Sequence, residues 1–240
     1  MITEEKLFTQ TLTFCKNHAD PLLVKKYSRY FKEGFDAYGV SSELINLRVA
    51  EIIDLPRIPD KQIHELCCLP VRSPKYEMTS IASLLLKKLR KRWDHETVLT
   101  LEKIFSLGIN NWAHTDWICS ELIPDMIKKK LLTMDSLKPW RKAENKFQRR
   151  AAVVGLIKPM KISADFKPYF DFIDPMMTDG ERVVHQGLGW FLREAWKKQA
   201  EPSEKFLLKW KDSAARLIFQ YATEKMTPEQ KLKFRKEKEK

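Results

Sequence analysis

Glycine is scarce in this 240-residue chain, at seven residues, and apolar and polar residues nowhere alternate with a sustained period of two. Sheet-rich folds with many tight turns have little to build on here. Four cysteines, Cys15, Cys67, Cys68 and Cys119, show no metal-ligand spacing, and the adjacent Cys67 and Cys68 do not make the spaced pair of a zinc or redox motif. A disulfide scaffold is excluded and a reducing cytoplasm is the expected setting. No apolar run approaches the ~20 residues that span a bilayer, and the opening "MITEEKLFTQ" lacks the basic and apolar regions of a signal peptide, so a soluble protein without membrane contact is expected. Also missing are GxSxG, a P-loop, HExxH and any paired cysteine and histidine motif, which removes most familiar hydrolases and NTPases. The one GxG, in "HQGLGWFLREAW", follows no strand pattern and is no nucleotide fingerprint.

What is present is charge, in excess of one sign. Lys and Arg number 44 against 32 Asp and Glu, a formal net charge of +12, of which the last ten residues, "KLKFRKEKEK", supply +4. The remaining +8 lies on the body of the chain and favours a polyanionic partner, nucleic acid or an acidic membrane surface.

Apolar residues recur at three- and four-residue spacing, as in Leu7, Phe8, Leu12 and Cys15 or Ile81, Leu84, Leu85 and Leu89, so the chain reads as all-α with about a dozen helices. The strongest patterns cover 77–92, 111–130, 146–158 and 182–198. Ala82, Asp116, Arg150 and Trp190 follow one another at intervals of 34, 34 and 40 residues, each in a helix followed by a shorter one. Helix pairs of that period stack into solenoids whose concave wall gathers residues distant in sequence; a globular bundle is the alternative. One such domain is expected over 1–228, with a charged tail over 229–240.

Trp112 and Asp116, in "NNWAHTDW", are four residues apart and share a helix face. A carboxylate there needs a cation or water, since burying it alone costs several kcal/mol; a capping or ion-paired aspartate beside an incidental tryptophan is the plainer account. His114 beside Asp116 gives two candidate metal ligands and no third, so no metal is expected and His114 reads as a surface residue. Arg149 and Arg150 open an apolar helix, and Lys158 lies two turns beyond Arg150, where the two can straddle a phosphate run or simply border a buried face. Gly187 and Gly189 interrupt a helical pattern at ~1 kcal/mol each, which calls for a closely packed neighbouring helix or a ligand beside Trp190.

The order of these pieces, "NNWAHTDW", "ENKFQRRAAVV" leading to a lysine, then "GLGWFLREAW", resembles the AlkD-type DNA alkylation-repair glycosylases, from about "YSRYFKEGFDAYGV" to "RLIFQYATEK". The resemblance implies a HEAT-like helical solenoid with a concave basic surface, acting as a monomer on double-stranded DNA with alkylated bases and without a cofactor. It places the active site on Trp112, Asp116, Arg150 and Trp190, and DNA-backbone contacts on Lys158 and Arg193, with Arg149, Tyr30 and Ser42 as further DNA-binding positions. It implies hydrolysis of the N-glycosidic bond of a cationic alkylated purine, with Asp116 stabilising the positive charge that builds on the deoxyribose and positioning water, and without a closed base-flipping pocket. Asn111 and Ala113 beside Trp112, and the "LIN" at 44–46, depart from the family pattern. A DNA-binding solenoid for damaged or branched DNA that cuts no bond is the alternative function.

Overall fold

Local sequence sets most helix boundaries. In the computed structural model, which describes residues 3–55 and 59–236, the helix Glu4–Asn17 starts at Thr3, whose hydroxyl accepts from Lys6 N–H, and Pro21–Ser28 starts at Asp20, whose carboxylate accepts from Leu22 N–H. Ser41 caps Ser42–Ile53, Asn145 caps Lys146–Val154, and Asp94 forms a reciprocal capping box with Thr97 ahead of His95–Leu107.

All regular structure among the described residues is helical: sixteen α-helices and three short 3-10 turns. The four strongest sequence patterns fall on Tyr76–Lys88, Trp112–Glu121 with Ile123–Lys128, Lys146–Val154 with Ile157–Lys161, and Arg182–Trp196. Two of them are broken where the pattern runs on. Pro124 fits the first turn of its own short helix, and Gly155 ends the Lys146–Val154 helix with its backbone so close to Ile123 that an added Cβ would lie 2.9 Å from the isoleucine Cγ2. An apolar face continues across each break, so the sequence reads one helix where the chain makes two. The expected long-then-short pairing holds for the last three repeats but not for the first, where Tyr76–Lys88 and His95–Leu107 are both 13 residues long.

The repeat shows in hydrogen bonds made across a fixed sequence interval. Ser80 meets His114 and Asp116 meets Arg150, each 34 residues on, while Gln199 bonds the Ala164 carbonyl and Gln186 the Tyr221 hydroxyl at 35. Equivalent positions of successive repeats face each other, as stacked helix pairs require.

The chain divides into two compact units, one ending at His114 and one beginning at Thr115. In the first, Tyr76–Lys88 packs on Ser42–Ile53 and on Asp60–Cys67 over a core that includes Val49, Ile52, Ile63, Met78, Ile81 and Leu85. In the second, Arg182–Trp196 packs on Lys146–Val154 and Arg216–Ala222 over Val153, Leu188, Phe191, Leu192 and Ile218. Gly189 makes the second packing possible, because a Cβ there would fall 2.4 Å from Tyr221 Cβ and 2.7 Å from the Ile218 carbonyl oxygen. The close neighbouring helix, not a ligand, accounts for this glycine.

Part of the segment expected as a charged tail over 229–240 is ordered. Pro228–Leu232 is a helix with its own Thr227–Gln230 capping box, and Phe234 is 1% exposed, packed near Phe219 with its carbonyl oxygen accepting from Arg216. One apolar residue within the basic run was enough to anchor it; residues 237–240 lie outside the described residues. No helix among the described residues is long and apolar enough to cross a membrane.

Candidate functional site

In the second unit the helix Lys146–Val154 turns Arg150 inward. Its Nε donates to Asp116 Oδ1 at 2.8 Å and its Nη2 to Asp116 Oδ2 at 2.9 Å, a bidentate fork that fixes the plane of the carboxylate. The third donor, Nη1, reaches the Val183 carbonyl oxygen at 2.6 Å. The arginine side chain is 7% exposed and the aspartate 18%, so the pair is largely dry while the carboxylate keeps an edge to solvent. Gly187 completes the setting. A Cβ on it would stand 3.3 Å from Arg150 Cγ and 3.2 Å from Val154 Cγ2, so the missing methyl is what lets the arginine stem lie against the helix Arg182–Trp196. That helix also carries Trp190, half-buried, and Arg193, whose guanidinium is ion-paired with Glu224 and lies beside Glu194.

In the first unit the site residues are aromatic. Trp112, 40% exposed, stacks on Phe31 with ring centroids 5.7 Å apart, and its indole N–H donates to the Tyr30 carbonyl oxygen at 3.4 Å. Phe31 stacks in turn on Phe35 at 4.6 Å, and Tyr76 closes against both. The loop that presents these rings is tied down by Glu77, which is 2% exposed and accepts from the backbone N–H groups of Tyr38, Gly39 and Val40. Gly39 takes φ +85° and lies where a Cβ would be 2.1 Å from the Asp20 carbonyl oxygen, so only glycine serves.

His114 is buried, contrary to the surface position expected. Asn111 Nδ2 donates to its Nδ1 at 2.8 Å, leaving Nε2–H to donate to the Ser80 hydroxyl at 2.9 Å, and burial lowers its pKa to about 3. It is a neutral packing residue against the Tyr76 ring, and no group of three or more candidate metal ligands forms among the described residues.

The model of the family described as DNA alkylation repair enzyme matches residues 13–226. The chain belongs to that family. No curated protein matches it. Among solved structures it is similar to a predicted DNA alkylation repair enzyme from Enterococcus faecalis, at 16% identity and TM-score 0.67 over 88% of this chain and 98% of that one. It is also similar to AlkD2 from Streptococcus mutans, at 22% identity and TM-score 0.56 over 83% and 97% of the two chains, and to smu.31 from Streptococcus mutans UA159, at 21% and 0.56 over 83% and 96%. At these identities the likeness is one of fold, and it makes the all-α helical repeat that of AlkD-type proteins. Family membership makes DNA the partner that the positive charge called for.

For this alkylation-repair family member the sequence-predicted site residues divide into two groups. Asp116 and Arg150 meet, as do Trp112 and Tyr30. Lys158 is exposed, with its Nζ donating to the Ser120 carbonyl oxygen at 2.7 Å, and Ser42 is exposed at the start of the helix that Ser41 caps. Arg149 faces Asp179, at 2.7 Å from Nε, and the carbonyl oxygens of Ala143 and Glu144, so its donors hold a loop together. Arg150 likewise spends its donors inside the protein and does not straddle a phosphate run with Lys158. The Phe31, Phe35 and Tyr76 cluster was missed; the Phe31–Phe35 spacing in "FKEGF" was its only local signal.

Proposed function

We propose that this family member is a monofunctional DNA glycosylase that hydrolyses the N-glycosidic bond of cationic alkylated purines. The observation that carries the reading is the Asp116–Arg150 fork: an ionised carboxylate, oriented by a buried guanidinium, with one edge left to solvent. A purine alkylated on a ring nitrogen is a good leaving group without protonation. When the C1′–N bond breaks, its electron pair goes to the base and cancels the base's positive charge, and positive charge develops on the sugar. Asp116 stabilises that charge and orients the water whose oxygen bonds to C1′, and its carboxylate takes the proton that water sheds. Arg150 is a positioning residue, holding the carboxylate against reorientation as the charge moves.

Trp112, one helical turn before Asp116 in Trp112–Glu121, and Trp190 are assigned to contact with the electron-poor sugar and its flanking backbone, through faces that attract cations by about 0.5–2 kcal/mol each. Lys158, Arg193, Tyr30 and Ser42 are assigned to the DNA backbone, which positions the duplex without reading its sequence.

The test is base release from methylated duplex DNA. Asp116→Asn keeps the shape and part of the hydrogen bonding but deletes the charge, so the excision rate falls about 10²- to 10³-fold, equivalent to ~3–4 kcal/mol, while duplex binding changes little. Equal release by both proteins makes Asp116 structural. One observation favours a second reading, a damage-binding protein that cuts nothing: the charge of Asp116 is already matched one for one by Arg150. Duplex binding by a wild type that releases no base establishes that reading instead.

A further inference from the structure

The helix Pro21–Ser28, in the first unit, contributes no buried residue to the core. It is held at its start instead, where the Asp20 N–H donates to the Tyr38 carbonyl oxygen at 3.0 Å. What it carries is charge and rings. From Pro21 to Lys32 the chain holds Lys25, Lys26, Arg29 and Lys32 and no acid, a local charge of +4. All four cations are exposed, and none is in an ion pair among the described residues. Cations that no carboxylate neutralises keep their attraction for an anionic partner.

Two tyrosines stand among them, Tyr27 at 44% exposed and Tyr30 at 53%. Lys26 Nζ lies 5.5 Å from the centre of the Tyr27 ring, and the Arg29 guanidinium lies 4.8 Å from that of Tyr30, with Nη2 donating to the Tyr30 hydroxyl at 2.8 Å. The Tyr30 N–H closes a turn on the Tyr27 carbonyl oxygen at 3.0 Å, and side chains three apart in so tight a turn lie one above the other. Two cation–ring pairs therefore follow one another along one side of the chain. A nucleic-acid strand has the matching pattern, a flat base and a negative phosphate in each repeat. In a duplex the base faces are covered by their neighbours and only groove edges show, so the tyrosine faces have partners only where bases are unpaired. An acidic peptide would use the charge and not the rings. A membrane would need a broad apolar face, and with Leu23 and Val24 half-buried, Leu22 is the one exposed aliphatic residue of this helix.

We propose that residues 25–32 form a stacking platform for an unpaired strand of nucleic acid, with Tyr27 and Tyr30 against successive bases and Lys25, Lys26, Arg29 and Lys32 against the phosphates. The proposal goes beyond the glycosylase reading and does not depend on it, since no bond in the strand has to break. On a duplex Tyr30 reaches the backbone; on an open strand its ring face also has a base to meet. The platform gives a DNA repair family member a hold on DNA where the duplex is open.

The experiment is an anisotropy titration of the full chain with three labelled probes of about twelve nucleotides, within the site sizes of single-strand binders. They are an oligothymidylate, an oligomer with the same phosphates but an abasic tetrahydrofuran at each position, and a duplex. Wild type binds the thymidylate at least about tenfold tighter than the abasic oligomer of equal charge, because one stacked base at the low end of such contacts is worth about fivefold. Tyr27→Leu/Tyr30→Leu brings those two affinities to within about threefold, and Tyr27→Leu alone weakens the thymidylate about fivefold and the duplex less than about twofold. Lys25→Ala/Lys26→Ala lowers the log–log salt slope for the thymidylate by about 1.4, at ~0.7 for each phosphate of a single strand. Circular dichroism on each variant confirms that the fold is retained, and the wild-type comparison of the two oligomers needs no variant at all. Equal affinity of wild type for thymidylate and abasic oligomer overturns the platform, as does an unchanged preference in the double tyrosine variant. An unchanged salt slope in the lysine variant also overturns it, by putting the strand elsewhere on the basic surface. Displacement of labelled thymidylate by polyglutamate or by phosphatidylserine vesicles, at equal charge and as fully as by unlabelled thymidylate, overturns it in favour of a general anion or membrane surface.

Discussion

The two units satisfy their buried polar groups by different means. In the first, Glu77 is held by backbone N–H groups and His114 by an amide and a hydroxyl, while the ion pairs Arg72–Glu5, Lys75–Asp36 and Arg48–Glu51 have their acidic members well exposed. In the second, charge meets charge inside the protein: Arg150 with Asp116, Arg149 with Asp179, and Glu194 with Lys161, each with one partner less than 10% exposed. A carboxylate held by main-chain donors and 2% exposed fixes a loop and is shut off from solvent. One that is forked by an arginine at the edge of solvent keeps its charge oriented and partly open to water. Two acids with little exposure thus sit in different settings because their partners differ.

The largest expected effects come from breaking each arrangement. Arg150→Ala strands a mostly buried carboxylate and the Val183 carbonyl oxygen, at a cost of about 3 kcal/mol. Glu77→Ala strands three backbone N–H groups and costs a similar ~3 kcal/mol. The two differ in how they can be repaired. Adding Asp116→Asn to Arg150→Ala removes the stranded charge and recovers at least 1 kcal/mol of that loss, or about a third. No second side-chain change repairs Glu77→Ala, because its partners are main chain. Urea unfolding of the four proteins checks this, and a double variant no more stable than Arg150→Ala alone would show that Asp116 is solvated rather than paired.

The pairing in the second unit was partly legible in the sequence, and the reason is geometric. Asp116 and Arg150 stood one repeat apart, and equivalent positions of stacked helix pairs must meet, so the 34-residue interval pointed at the contact. It said nothing of direction: an arginine at the border of an apolar face can turn out to phosphate or in to a carboxylate, and Arg149 and Arg150 both turned in. The first unit's aromatic cluster was hidden because loop rings carry no period. Glu77 was hidden because its partners, backbone N–H groups nearly forty residues away, have no side-chain signature. Phe234 lay inside a run whose charge dominated its reading.

A smaller effect tests the neutral partnering of the first unit. Burial lowers the pKa of His114 from the ordinary 6.5 to about 3 in the folded protein. Between those values the unfolded chain binds one more proton than the folded one, so stability rises with pH; the contribution is complete above about 6.5 and is lost as pH falls toward 3. The slope is about 1.4 kcal/mol per pH unit inside that window. His114→Gln removes this slope, which thermal melts at pH 7, 6 and 5 measure for both proteins. A wild-type slope retained by the variant would assign the acid sensitivity to other groups.

The smallest effect lies in the second unit and asks whether charge already paired inside the protein still contributes to DNA binding. Lys158 is exposed and its ammonium donates to the Ser120 carbonyl oxygen, an uncharged partner, so its charge is available to a phosphate. Arg193 carries the same formal charge but lies between Glu224 and Glu194, and its buried Nε has no hydrogen-bond partner among the described residues. Anisotropy titrations of an undamaged duplex between 50 and 200 mM salt read the difference. Lys158→Ala lowers the log–log salt slope by about 0.9, the value for one lost phosphate contact, and Arg193→Ala lowers it by roughly half that or less, because its guanidinium is already engaged by Glu224 and Glu194 and gives less of its charge to a phosphate. The direction is the same for both and independent of sequence. Equal losses would mean that DNA displaces Glu224 and takes the guanidinium for itself, and the contrast between paired and unpaired charge would then hold only for the free protein.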